Sequence, residues 1–264
     1  MSELFSHLLG KRILDVGPSA IHERFYEVLI PWAQSNADIY AKANPFPCVT
    51  IDNFLPVDVA ERILEDFPPP EFDSYSQPDN TWQKRKLGRL QDKKFSGLSS
   101  YVRLALNELN AMGAVEFLEQ LTGIKGLIPD PHFRGGALHQ ILPGGKLAIH
   151  ADFNQDRARN LKRRLNVLIY LNKDWEPHYG GDLELWNEAM TQCEQRITPI
   201  FNRAVIFSTN KSSYHSHPDP LECPPGRTRK SIALYYYTAR QDDEVPEPFH
   251  STLWQCRPGE VHED

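Results

Sequence analysis

The stretch Gly144-Gly-Lys-Leu-Ala-Ile-His-Ala-Asp152 (GGKLAIHAD) contains the strongest structural signal in the sequence. Two glycines lead into a short apolar run, which ends with a histidine and a carboxylate separated by one residue. Alternate side chains of an extended strand point to the same side, so His150 and Asp152 can bind one ion without distorting the backbone. The stretch therefore predicts a strand that ends in part of a metal site.

Two other His-x-Asp triplets compete with this pair, His217-Pro-Asp219 and His262-Glu-Asp264. The first lies in a proline turn, and the second lies in a polar C-terminal stretch. Because His150 and Asp152 alone close a predicted strand, we expect them to be the metal ligands.

Short β-type runs separated by Gly, Pro, Asn and Asp fill the sequence from residue 127 to residue 238. The predicted strands are Gly136–Leu142, Lys146–Asp152, Leu165–Leu171, Asp182–Trp186, Ile197–Ile200, Ala204–Ser208 and Ser231–Thr238. Many short strands with Gly/Pro turns are typical of a sandwich or barrel. We predict an α+β fold whose core is a double-stranded β-helix of the jelly-roll, cupin-like type.

The N-terminal part has helical rather than β-type periodicity, with a break expected at Pro31. A polar, proline-containing stretch over 71–92 predicts a long loop. We expect a single compact domain with three parts. They are a mainly helical support over 1–125, the β-helix core over 126–240 and a C-terminal tail over 241–264.

Composition excludes several classes of function. A net charge of -6 over 264 residues argues against general nucleic-acid binding, which depends on Lys and Arg. No run approaches the roughly 20 apolar residues that span a bilayer, so no membrane insertion is expected. Four separated cysteines without a C-x-x-C pair favour a reducing compartment. The expected location is cytoplasmic.

The third metal ligand should come from a later strand that folds back beside the first. Tyr214-His-Ser-His217 offers two candidates, His215 and His217. Two histidines and one carboxylate on one face of an ion leave three positions open, an arrangement typical of non-haem iron. On spacing alone, the alternative that these are surface histidines stays open.

Several segments resemble, in order and spacing, the prolyl-hydroxylase-like branch of the Fe(II)/2-oxoglutarate oxygenases. They are Gly144–Asp152, Leu165–Trp175, Gly180–Leu185, His215 and Thr228–Tyr237. The resemblance implies that Fe(II), 2-oxoglutarate and O2 are used, and that an unactivated C–H bond is hydroxylated with release of succinate and CO2. It also implies His215 as the distal ligand, because a proline-containing turn follows that residue.

The resemblance further implies that Arg229 anchors the distal carboxylate of 2-oxoglutarate. A guanidinium can hold a carboxylate through two parallel hydrogen bonds. Tyr170 and Asn166 share one face of their strand, and Ser231 shares the face of Arg229. These residues are therefore candidates for the cosubstrate pocket, although a core tyrosine and a strand-edge asparagine are the simpler alternatives.

The chain departs from the family pattern where prolyl hydroxylases often carry tyrosines, because Ile141 and Leu147 occupy those positions. Prolyl specificity is therefore open. His139, Gln140 and His217 are the candidates for polar contacts in the substrate pocket.

The substrate is expected to be a peptidyl or free amino acid or another small molecule. Basic clusters over 84–94 and 157–164 could attract an anionic substrate, although the sequence favours a solvated charged turn as their explanation. The alternative functions are a non-catalytic, cupin-like metal-binding or sensing protein and a zinc-dependent hydrolase. The sequence does not determine the oligomeric state.

Overall fold

A curled antiparallel sheet forms the centre of the protein in a computed structural model, which describes residues 17–72, 79–88, 95–240 and 247–260. Its strands are β1 Cys48–Ile51, β2 Gln83–Leu87, β3 Ile128–Pro129, β4 Ala137–Ala151, β5 Gln155–Asp156, β6 Leu161–Tyr170, β7 Leu183–Trp186, β8 Cys193–Ile197, β9 Arg203–Ser208, β10 His215–His217, β11 Arg229–Ala239 and β12 Leu253–Trp254. The main path through the sheet is β1-β9-β6-β11-β4-β10-β7-β8. This architecture confirms the predicted α+β fold with a jelly-roll core.

Helices cover one face of the sheet. They are α1 Ser19–Arg24, α2 Ile30–Ala41, α3 Val57–Glu65, α4 Ser100–Glu108 and α5 Met112–Thr122. A π-helical turn joins α1 to α2, directly before Pro31. Proline has no amide hydrogen to donate to the preceding turn, which accounts for the irregular hydrogen bonding at the predicted break.

The alternation of side chains along β6 separates the core from the cavity. Leu165, Val167 and Ile169 pack against the helices in a single hydrophobic core. The intervening residues Asn166 and Tyr170 point into a cavity inside the curled sheet. The period of two thus directs polar side chains inward and aliphatic ones toward the helices.

Strand β4 continues through the two strands predicted at 136–142 and 146–152. Gly144 (φ +75°) and Gly145 let it bend instead of ending. A Cβ at Gly145 would lie 2.6 Å from Cγ2 of Ile141, so this bend has no room for a side chain. The bend lets one strand contribute to both ends of the cavity.

Two segments outside the predicted core also join β4. Strand β2 lies within the stretch predicted as a loop, and β12 lies within the predicted tail. The tail triplet His262-Glu-Asp264 lies outside the described residues. Within the described part of the chain, no helix has the length and apolar character needed to cross a bilayer.

Candidate active site

Three potential metal ligands meet at the end of β4. The register between β10 and β4 places His215 opposite His150. Asp152 follows β4, and its carboxylate oxygens lie 3.7 Å from Nε2 of His150 and 3.5 Å from Nε2 of His215. The three ligand atoms lie within 4.8 Å of one another, close enough for one ion to bind them all. The cluster found among the described residues contains His215 and not His217.

Backbone carbonyls hold the two histidine rings in one tautomer. Nδ1 of His150 lies 2.9 Å from the Ala148 oxygen, and Nδ1 of His215 lies 2.9 Å from the Ser213 oxygen. A carbonyl oxygen can only accept a hydrogen bond, so each Nδ1 must donate. The lone pair of each ring is therefore on Nε2, the atom that faces Asp152.

Burial keeps both rings neutral. Desolvation, together with the neighbouring His215 ring, lowers the pKa of His150 to about 3. Desolvation also lowers the pKa of His215. Since a neutral imidazole is the form that binds a metal, neither ring has to lose a proton at neutral pH.

The Asp152 carboxylate is held by two side chains of β6. Its Oδ2 accepts hydrogen bonds from Arg163 Nη2 at 3.1 Å and from Asn166 Nδ2 at 2.7 Å. Burial by itself would raise the pKa of Asp152, but the charge of Arg163, helped by the hydrogen bond from Asn166, outweighs it and lowers that pKa. The carboxylate stays ionised, and its orientation is determined by donors on its far side.

Arg163 is buried, contrary to its expected place in an exposed basic cluster. Its guanidinium lies 3.6 Å from the centroid of the Tyr235 ring and 4.5 Å from that of Phe153. The strand pairing shifts by one residue at this point, where Leu165 and Arg163 face adjacent residues of β11. Such a bulge reverses the alternation of side chains, which is why sequence periodicity missed this contact.

Arg229 lies at the deep end of the same cavity, at the start of β11. Its Nε donates to the Gly181 oxygen at 2.7 Å, and its Nη2 donates to the Tyr170 hydroxyl at 3.3 Å. A Cβ at Gly181 would lie 2.6 Å from Cδ2 of Leu221 and 3.0 Å from Cδ of Arg229. The glycine therefore allows the arginine to approach the backbone closely.

A cavity of about 90 Å³ joins Arg229 to the three-ligand cluster. Five other predicted site residues contribute to its wall, namely Tyr170, Asn166, Ser231, His139 and His217. Desolvation raises the pKa of Tyr170 despite the nearby Arg229, so its phenol keeps its proton. The cavity thus has a cation at one end and the potential metal ligands at the other.

Gln140 does not line this cavity, contrary to its predicted place in the substrate pocket. Its amide oxygen accepts from the Thr228 hydroxyl at 2.6 Å, and its Nε2 lies 3.3 Å from the Pro68 oxygen. Gln140 follows His139 on β4, so the two side chains must point to opposite faces. His139 is the one that faces the cavity.

Strand β2 adds Lys86, a residue of the basic cluster over 84–94 that the sequence pattern did not place in this cavity. Lys86 pairs with Ile141 of β4 and lines the same cavity. The strand is polar and lacks an apolar alternation, so no sequence pattern distinguished it from a loop. Its pairing with β4 brings a second positive charge to the cavity.

Two tryptophans from distant segments meet beside His150. The Trp254 ring of β12 lies 4.9 Å from the His150 ring, measured between centroids. It stacks on Trp82, with centroids 5.6 Å apart and planes 10° apart. Residues separated by most of the chain thereby enclose one side of the ligand cluster.

Asp152 also lines a second, larger cavity of about 310 Å³. Lys162 and Arg164 from the predicted basic cluster reach it, together with Glu247. Nζ of Lys162 lies 4.0 Å from the Glu247 carboxylate. Acidic partners thus offset part of the cluster's charge, which weakens the case for an anionic substrate.

Residues 136–237 match the family model of the 2OG-Fe(II) oxygenase superfamily. The matched region contains the three ligands and Arg229, and its strands include β4, β6, β7 and β11. The match therefore covers the part of the chain that forms both ends of the cavity.

Solved structures with a similar fold include a prolyl hydroxylase from Trichoplax adhaerens in complex with a hypoxia inducible factor peptide (TM-score 0.56, 18% identity, 78% of this chain and 91% of that chain). A Pseudomonas putida prolyl-4-hydroxylase is similar as well (TM-score 0.55, 18% identity, 80% of this chain and 100% of that chain). HygX from Streptomyces hygroscopicus, with nickel and 2-oxoglutarate bound, is a third (TM-score 0.52, 11% identity, 77% of this chain and 86% of that chain). At these identities, the likeness shows a shared fold.

The superfamily match, the shared fold and the His-Asp-His cluster agree with the cofactors implied by the sequence, Fe(II), 2-oxoglutarate and O2. Residues 136–237 therefore match the 2OG-Fe(II) oxygenase superfamily, and the chain has a fold similar to that of solved prolyl hydroxylases.

Proposed function

We propose that this protein hydroxylates an unactivated C–H bond of a peptidyl, amino-acid or small-molecule substrate, using Fe(II) and 2-oxoglutarate and releasing succinate and CO2. The observation that carries the proposal is the buried Arg229 at the far end of the cavity that contains the ligand cluster. A protein that only binds a metal has no need of a buried cation in the same cavity as the metal ligands.

His150, Asp152 and His215 are proposed to hold the iron through their facing nitrogen and oxygen atoms. Three ligands on one side leave room for a bidentate cosubstrate and for dioxygen. When bound, the iron, 2-oxoglutarate and O2 supply the oxidising chemistry. The protein supplies neutral rings, an ionised carboxylate and a pocket lined mostly by buried side chains.

Arg229 and Tyr170 are proposed to bind the distal carboxylate of 2-oxoglutarate. The guanidinium contributes charge-assisted donors, and the protonated Tyr170 hydroxyl can donate one more hydrogen bond. Their mutual contact and the Gly181 carbonyl determine the direction of the arginine before any ligand arrives. Such preorganisation reduces the entropy lost on binding.

Arg163 and Asn166 are proposed to position Asp152 rather than to bind cosubstrate. Both donate to the same carboxylate oxygen, and Arg163 also donates to the Asn166 side-chain oxygen at 2.6 Å. The proposed role of Asn166 therefore differs from its predicted one. A fixed carboxylate keeps the ligand geometry constant while ligands exchange.

The primary substrate is proposed to enter through the 310 Å³ cavity, because Asp152 lines this cavity while Arg229 does not. Its size is at the lower end of the ~300–1,000 Å³ typical of small-molecule pockets. A small molecule or a single side chain of a peptide fits that volume. Both basic and acidic residues line the cavity, so the proposal does not require an anionic substrate.

The first test is an anaerobic titration of the Fe(II) protein with 2-oxoglutarate, followed by visible absorbance. A weak charge-transfer band is expected in the wild type. His150→Ala should abolish the band, and Arg229→Ala should weaken binding of 2-oxoglutarate by on the order of 100-fold, because a charge-assisted bidentate contact is lost. Succinate release in air without a primary substrate should likewise be measurable in the wild type, reduced in Arg229→Ala and absent in His150→Ala.

Two matched variants control for nonspecific effects. His178→Ala removes an exposed histidine, and Lys230→Ala removes the cation next to Arg229 that faces away from the cavity. Neither should alter the band. An absent band in the wild type would refute the oxygenase proposal, whereas a normal band without succinate release would favour a binding or sensing protein.

A further inference from the structure

His217 is a buried polar side chain that the proposed reaction does not yet use. It is 4% exposed, and its ring lines the 90 Å³ cavity between Arg229 and the ligand cluster. Its Nδ1 atom is buried and has no hydrogen-bond partner. Buried polar atoms in folded proteins are nearly always paired, so an exception calls for a missing partner.

The position of His217 excludes two simple explanations. It is not part of the metal-ligand cluster found among the described residues, which includes His215 two positions earlier. Nor is it a surface histidine, because β10 pairs with both β4 and β7 and all three residues of β10 are buried. The register places His215 opposite His150 and His217 opposite Leu147, so His217 lies further along β4 in the direction of Ile141, the residue that pairs with Arg229.

Arg229 by itself leaves part of a bound carboxylate without donors. One of its five N–H groups donates to Gly181, and another is directed at the Tyr170 hydroxyl. A carboxylate has about four acceptor positions, and the remaining Arg229 donors and the Tyr170 hydroxyl lie next to one another, so they reach it from one side. A further donor on the cavity wall would therefore complete its hydrogen bonding.

We infer that His217 is a positioning residue for 2-oxoglutarate, donating a hydrogen bond from its ring to the carboxylate that Arg229 anchors. The inference rests on the proposed function, since it requires that the cavity binds this dicarboxylate. It predicts that His217 contributes to affinity for the distal carboxylate and does not contribute to affinity for iron.

The test compares two 2-oxoacids in anaerobic titrations of the Fe(II) protein. 2-Oxoglutarate has the distal carboxylate, and 2-oxobutyrate lacks it. His217→Phe keeps a ring and removes its nitrogens, and it should raise the Kd of 2-oxoglutarate about tenfold, the effect of one hydrogen bond to a charged group. The Kd values of 2-oxobutyrate and of Fe(II) should stay unchanged, and His217→Asn, which restores a donor near Nδ1, should recover most of the affinity.

Three results would overturn the inference. They are an unchanged Kd of 2-oxoglutarate in His217→Phe, an equal loss of affinity for both 2-oxoacids, and a loss of iron binding. If His217→Phe does not fold by circular dichroism, His217→Leu replaces it in the same comparison. Failure of the wild type to bind 2-oxoglutarate would refute the proposed function as well. This outcome can be told apart from failure of the His217 inference alone, because it is seen without any substitution.

Discussion

Replacing Gly181 by alanine tests the proposed anchor without altering any charged group. Gly181 has a φ of +76°, a conformation that L residues rarely adopt. The added Cβ would lie 2.6 Å from Cδ2 of Leu221 and 3.0 Å from Cδ of Arg229. Both side chains would have to move, and the hydrogen bond from Arg229 Nε to the Gly181 oxygen would be strained.

The expected magnitude follows from two costs. An alanine in the left-handed region costs about 1–2 kcal/mol, and overpacking a buried site costs about 1–3 kcal/mol. Gly181→Ala should therefore lower the free energy of unfolding by about 2–5 kcal/mol, the sum of these two ranges. Domains are typically stable by about 5–15 kcal/mol, so a folded variant is expected.

Gly126→Ala is the matched control. Gly126 has a similar φ of +68°, and a Cβ added there would meet nothing within 4 Å. In urea unfolding, this control should lose about 1–2 kcal/mol, the backbone cost alone. The difference between the variants then measures the clash with Leu221 and Arg229.

Binding of 2-oxoglutarate separates the functional effect from the loss of stability. Displacement of Arg229 should raise the Kd of 2-oxoglutarate on the order of tenfold in Gly181→Ala, equivalent to losing one charge-assisted hydrogen bond, and should leave it unchanged in Gly126→Ala. Equal losses of stability in both variants, together with an unchanged Kd in Gly181→Ala, would refute the proposed role of this close approach.

Three further predictions concern the surroundings of the cavity. Asn166→Ala should raise the Kd of Fe(II) by about 10–100-fold, because Asp152 loses a donor that orients it; calorimetry showing unchanged iron affinity would contradict this. Burial, together with the charge of Lys86, lowers the pKa of His139 to about 3, so between pH 3 and pH 6.5 the unfolded chain binds the proton that the native protein excludes. Stability of the metal-free protein should therefore fall as the pH falls through this range, and the slope measured by urea unfolding should be shallower in His139→Gln; identical slopes would contradict the assignment. Asn154→Ala removes two hydrogen bonds to the 247–250 segment, so the free energy that holds this segment in place should fall by about 1–3 kcal/mol and its amide exchange should become faster. Unchanged exchange in residues 247–260 would argue against this anchoring.

Several features of the site could be predicted because they depend on short-range geometry. The i, i+2 spacing of His150 and Asp152 places both on one side of a strand end, and the structure has them there. The same alternation predicts that Asn166 and Tyr170 share a face, and both line the cavity. The periodicity of a strand thus determines the side to which each side chain points, but it does not determine which residue that side chain contacts.

The environment of Asp152 could not be predicted from the sequence. The bulge in β6 turns Arg163 from the expected surface cluster into the interior. No local pattern marks this shift of register, since it arises from the pairing with β11. The same bulge explains why Asn166 has a different partner from the one expected. Its amide group forms hydrogen bonds with the buried Arg163 and with Asp152.

The sequence by itself determined the class of fold, the strand that carries His150 and Asp152, and the likeness to oxygenases of the prolyl-hydroxylase-like branch. These depend on patterns within a few residues and on the order of motifs along the chain. Only the tertiary structure decided that Arg163 holds Asp152, that Lys86 reaches the cavity, and that Trp82 meets Trp254 beside His150. Those contacts depend on which strands become neighbours, and strand pairing is determined by the packing of the whole sheet.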